Sequence, residues 1–85
     1  MTYQQSLKWF TKQMLGKLQA NADKPHWRDA SASWLFKRML EESGEIVEAW
    51  TNDNDYSSII EECADVANFA MMIADKARRS KEDGK

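Results

Sequence analysis

Apolar residues recur at spacings of three and four in three stretches of this chain, and no stretch alternates as a half-buried strand requires. Tyr3, Leu7, Phe10, Met14 and Leu18 form one stripe and predict a helix from about Tyr3 to Ala20. Leu35, Phe36, Met39, Leu40, Ile46, Val47 and Trp50 predict a second, from about Ala32 to Trp50. Ile59, Ile60, Val66, Phe69, Ala70, Ile73 and Ala77 predict a third, from about Tyr56 to Arg79. Pro25, the only proline, breaks the chain between the first two. Thr51-Asn52-Asp53-Asn54-Asp55 is a polar turn whose Asx residues suit helix caps, short enough to join antiparallel neighbours. The charged stretch 80–85 reads as a frayed end.

The expected architecture is all-α: one domain over residues 1–85, an antiparallel bundle of about three helices. A chain of 85 residues buries a modest share of its surface. Yet 42% of it is apolar, including four Trp and five Met, more than one small core needs. The surplus predicts apolar surface shared between subunits, with four-helix-bundle-like cores completed in a homodimer or homotetramer.

Other features narrow the function classes. A net charge of -2 provides no basic field for a nucleic-acid polymer. Cys63 stands alone, which excludes an internal disulfide and fits a reducing cytoplasm. No apolar run approaches the roughly 20 residues of a membrane span, and Met1 to Phe10 lacks the pattern of a signal peptide. A single histidine, His26, is too few for a His-built zinc site or for a di-iron bundle with its Glu-x-x-His helices; His26 reads as a loop residue.

The acids carry the chemistry. At about 100° per residue, Glu42 falls among Leu35, Met39, Ile46 and Ala49, within the apolar stripe, and Glu45 lies at its edge. Glu62 sits in the same way among Ile59, Val66, Phe69 and Ile73, with Asp65 at the edge. Folding the hairpin about its Asn/Asp turn sets Glu45 level with Glu62, and Glu42 level with Asp65. Four like charges in a half-buried patch repel one another and resist ionisation. A hard divalent cation relieves that, and oxygen ligands suit Mg²⁺, with Mn²⁺ as a substitute. Metal-assisted phosphoryl transfer to water is the chemistry implied. Acids at helical spacing are more often solvated, and Glu41, Glu48 and Glu61 read that way; Arg38, one turn before Glu42, can pair with it without any metal.

Glu41-Glu42-x-x-Glu45, sixteen intervening residues and Glu62-x-x-Asp65 resemble the signature of MazG-like nucleotide pyrophosphohydrolases, in the all-α nucleoside triphosphate pyrophosphatase superfamily. The likeness is strongest from Trp34 to Asp75, and Lys17-Leu18-x-x-Asn21-x-x-Lys24-x-x-Trp27 also looks like small stand-alone members. The resemblance implies that Glu42, Glu45, Glu62 and Asp65 bind Mg²⁺ and that the ion holds a triphosphate. Water then attacks the α-phosphorus and pyrophosphate leaves. It makes Glu41 a catalytic candidate, either holding a ligand in place or positioning the water. Members of the superfamily complete their sites with a neighbouring subunit. This chain is short for them and lacks extra C-terminal helices.

Substrate contacts are candidates of a different kind. Trp27 and Trp34 can stack on a base or simply pack. Lys24 and Arg38 can reach phosphate or stay solvated. Asn68, one turn beyond Asp65, can hydrogen-bond substrate or a ligand. Cys63 reads as a small buried side chain rather than a nucleophile. Two other functions compete: a non-catalytic helical interaction module, and pyrophosphate release from phosphoribosyl-ATP.

Overall fold

A computed structural model of the protein describes residues 1–22 and 29–84. Three α-helices follow in order: α1 (Tyr3–Ala20), α2 (Ala32–Glu48) and α3 (Tyr56–Glu82). No strand occurs among the described residues.

Each helix starts on a side-chain cap that satisfies its otherwise orphaned first N–H groups. Thr2 accepts from the Gln5 amide at 3.1 Å, while its own N–H donates to the Gln5 side chain at 2.7 Å, a reciprocal capping box. Ser31 accepts from the Trp34 amide at 3.1 Å. Asp55 accepts from both the amide and the hydroxyl of Ser58, and these bonds hold its carboxyl below the usual range. At the far end of α1, the Asn21 side chain donates to the Lys17 carbonyl at 2.8 Å and closes the last turn.

The irregular connection between α2 and α3 is shorter than the sequence pattern predicts. A π-helical turn, Ala49–Asp53, carries the coil past Trp50 into the expected loop. The Asn54 amide closes it on the Ala49 carbonyl at 2.8 Å, and Asn54 adopts the left-handed backbone (φ 50) that asparagine tolerates better than most residues. Thr51 helps by donating its hydroxyl to the Val47 carbonyl at 2.8 Å. α3 runs on to Glu82, into the charged stretch 80–85. Arg78 bridges Asp75 and Glu82 there, and Arg79 reaches Asp75 at 3.3 Å, so pairs one turn apart carry the helix forward.

The core lies in the α2–α3 hairpin. Leu35 and Ala64 are fully enclosed, with Ala49, Ile59 and Phe69 beside them. The Trp34 ring meets Phe69 edge to face at 6.1 Å. α1 packs on α3 but buries none of its own residues fully. Much of the expected apolar surface stays open on the single chain: Tyr3, Leu7 and Trp9 on α1, and Leu40, Val47 and Trp50 on the hairpin. No helix of the described residues is long and apolar enough to cross a membrane.

Candidate functional site

Acids of α2 and α3 lie in one another's fields across the hairpin. Glu42 is buried, and its carboxyl is pushed upward, first by burial, then by a hydrogen-bonding contact with Glu45 and that residue's charge, with a further contribution from Asp65 across the hairpin. Glu62 is also pushed upward, first by burial, then by the charges of Glu45 and Asp65. Its Oε2 is enclosed without a hydrogen-bond partner, an arrangement normally avoided and costly to keep. Glu45 itself is exposed and Asp65 half-buried.

Two cations already serve this cluster. Arg38 forks between Glu41 at 2.7 Å and Glu42 at 2.9 Å, and its guanidinium carbon lies 5.8 Å from the Phe69 ring centre. Burial opposes its charge, but the bond to Glu41 and the two carboxylate charges outweigh that and tighten its hold on the proton. The Lys17 ammonium, from the last turn of α1, stands 3.6 Å from Asp65. Among the described residues no ion pair reaches Glu45 or Glu62, and no three acids stand close enough together to hold a metal ion. The donor set, all hard oxygen with one orphaned, suits a hard cation in kind. The expected joint chelation by Glu42, Glu45, Glu62 and Asp65 is not formed here. Glu42 pairs with Arg38 and Asp65 with Lys17.

The other candidates separate. Glu41 is exposed on the Arg38 fork, at the margin of the cluster. Trp34 is 42% exposed beside Arg38, partly packed on Phe69 and partly free. Asn68 is 1% exposed and donates its side-chain N–H to the Met14 carbonyl at 3.0 Å. It ties α1 to α3 instead of facing an opening that a ligand could enter. Its position on α3 explains this. Asn68 lies about 120° around the helix from Glu62, on the flank that α1 covers rather than the one facing α2. Lys24, His26 and Trp27 lie outside the described residues. The Cys63 thiol is half-buried, and burial followed by the Glu62 charge pushes it up, away from the thiolate form a nucleophile needs. Lys17 is the site residue that periodicity alone missed. It stands in the run that resembles small stand-alone members, but with no role attached, and the packing of α1 on α3 brings it to Asp65.

The chain matches the phosphoribosyl-ATP pyrophosphohydrolase family over residues 7–78, a span that takes in the whole of α2, most of α1 and α3, and every acid of the cluster. It belongs to that family. The family lies in the same all-α superfamily that the acid spacing resembles, and its members are pyrophosphohydrolases of the nucleotide-pyrophosphatase kind. No curated protein and no solved structure matches the chain.

Proposed function

We propose that the protein is a Mg²⁺-dependent nucleotide pyrophosphohydrolase of MazG-like type, converting a nucleoside or deoxynucleoside triphosphate to the monophosphate and pyrophosphate. The observation that supports this reading is a pair of part-buried acids on adjoining helices: Glu42, in the field of Asp65, and Glu62, in the field of Glu45, with burial pushing both carboxyls up and the Glu62 Oε2 left without a hydrogen-bond partner. A patch of this kind is an expensive way to build a core and a natural way to receive a cation. Glu42, Glu45, Glu62 and Asp65 would hold the ion, which when bound supplies charge neutralisation on the phosphates. Arg38 contributes a planar donor fork beside the cluster, suited to a phosphate oxygen. Glu41, held by Arg38, would orient a water. Trp34 offers a half-open ring for a base, and Lys24 and Trp27 remain candidates for further substrate contacts.

A specific observation favours a second substrate. The family match carries the name phosphoribosyl-ATP pyrophosphohydrolase, and that substrate has the same triphosphate and the same leaving group. Completion by a second subunit belongs to this proposal too. It is supported by an α1 without a buried residue and by the open apolar side chains of Leu7, Leu40 and Val47.

Pyrophosphate release across ribo-, deoxyribo- and damaged-base triphosphates and phosphoribosyl-ATP tests the proposal. The expected result is Mg²⁺-dependent release from at least one. Glu42→Gln or Asp65→Asn should reduce it by roughly 10²–10³-fold while leaving the helical signal intact. No metal-dependent release from any member of the panel would sink the enzyme and leave the interaction module as the better account.

A further inference from the structure

We propose that a second copy of this chain docks on the face of the α2–α3 hairpin opposite the acids, with the two hairpins antiparallel about a two-fold axis near Ser43, so that four helices share one core. The inference rests on the second-subunit completion proposed above and gives it a surface and a direction; it needs neither metal nor substrate.

Both helices of the hairpin carry a second stripe of apolar and small residues. On α2 it is Phe36, Leu40, Ser43, Val47 and Trp50; on α3 it is Tyr56, Ile60, Cys63, Ala67 and Ala70. Each runs in alternating steps of four and three, the spacing of a helix–helix seam. At 100° per residue the α2 stripe centres about 120° from Glu42, and the α3 stripe about as far from Glu62. Equal turns on antiparallel helices point to the same side, so both stripes emerge on one face, away from Glu45 and Asp65. Among the described residues no helix covers that face, because α1 lies on the other flank of α3, where Asn68 meets Met14. Leu40 is 69% exposed there and Val47 64%, and the Trp50 and Tyr56 rings meet edge to face at 5.7 Å with both sides open.

Area, symmetry and charge all make the occupant a second copy. The accessible surface is 6532 Å², whereas a folded monomer of this mass exposes roughly 5,200 Å². The excess is more than the roughly 800 Å² that each partner gives to a standard interface. The α2 stripe also matches itself when reversed, since Phe36 and Trp50 stand equally far from Ser43 in sequence. A two-fold axis there sets Trp50 of one copy level with Phe36 of the other, where Phe36, Ile73 and Ala77 wall a groove of about 550 Å³ that can receive the indole. Charge sets the direction. From Met39 to Asp75 every charged side chain of the hairpin is acidic, while its open end, residues 32–38 and 76–82, holds six cations and one acid. Antiparallel docking lays the acidic tip of each copy on the basic end of the other; parallel docking would set tip on tip. Either copy keeps its cluster of acids uncovered on the far side.

Sedimentation equilibrium tests the surface. Wild type should sediment as a dimer or an even multiple of the chain. Val47→Glu should raise the dissociation constant by at least roughly 100-fold with helix content unchanged, because it places two carboxylates in the apolar seam. Glu61→Gln, on the opposite flank, should associate as wild type does. A folded Val47→Glu protein that also associates like wild type would overturn the inference. Chemical linking tests the direction and covers a Val47→Glu protein that fails to fold. In a Cys63→Ala background, Phe36→Cys protein mixed with Trp50→Cys protein should be joined by a short bismaleimide, and neither should be joined to its own kind. Linking only of like with like, or no linking at all, contradicts antiparallel docking on this face. Wild type that stays monomeric at every concentration would defeat the second-subunit reading as well, whereas a wild-type oligomer indifferent to Val47→Glu defeats this inference alone.

Discussion

The α2–α3 hairpin and the helix α1 are built on opposite economies. The hairpin encloses Leu35 and Ala64 completely and also tolerates a buried Glu42 and an enclosed, unpartnered Glu62 oxygen. α1 has a capping box and a full apolar stripe, yet no residue of it is buried. It is joined to α3 through two polar contacts in its C-terminal half, Met14 to Asn68 and Lys17 to Asp65. Its N-terminal half, with Tyr3, Leu7 and Trp9, presents apolar surface to solvent. The difference teaches where each part finds its stability. The hairpin has spare packing energy to hold like charges together, and α1 is left with surface that a second copy can cover.

Truncating one leucine in each region should break or sharpen that contrast. Leu35→Ala removes a fully enclosed side chain and should cost about 2–5 kcal/mol at any protein concentration. Leu7→Ala, at an exposed position, should cost less than about 0.5 kcal/mol in a dilute single chain. It should show its effect instead as a melting temperature that depends less steeply on concentration than the wild type's. Equal costs for the two, independent of concentration, would erase the distinction.

Next in size is the joint between the regions. Asn68→Ala strips the Met14 carbonyl of its side-chain partner in a closed setting and should cost about 1–3 kcal/mol. Hydrogen exchange should rise along α1 before it rises in the hairpin, and uniform acceleration would mean that α1 is no separate unit.

The smallest effect is electrostatic. The folded state holds the Glu62 proton to a higher pH than the unfolded chain does, so this group opposes folding once both states are ionised. Without metal, wild type should therefore lose stability relative to Glu62→Gln as pH rises past the ordinary glutamate range. The gap should open over that window and level off above it, read as a difference in melting temperature. A gap of the opposite sign would mean that Glu62 is stabilised as a carboxylate by something the described residues do not supply.

Much of this was legible in the sequence. The start and end of α1 follow from its stripe, and the hairpin that brings the acids of α2 and α3 into one another's fields follows from the spacing about the Asn/Asp turn, because helical rise is uniform. What periodicity could not reveal depends on tertiary crossing. Asn68 read as a polar residue one turn from a metal ligand, yet the flank it occupies belongs to α1. Lys17 belongs to the family-like run of the sequence, but its place beside Asp65 depends on how α1 packs on α3. The extension of α3 to Glu82 was hidden because a charged tail and a helix laced with ion pairs have the same composition.

Thermal melting of wild type across a Mg²⁺ titration near neutral pH tests the central claim most directly, with Glu62→Gln as its control. If the acids of the hairpin receive the ion, Mg²⁺ at about ten times its dissociation constant should stabilise wild type by roughly 1.4 kcal/mol, several degrees for a domain of this size, and Glu62→Gln should lose most of that shift. A wild-type melting temperature unmoved by Mg²⁺, or a shift that survives intact in Glu62→Gln, would contradict the account.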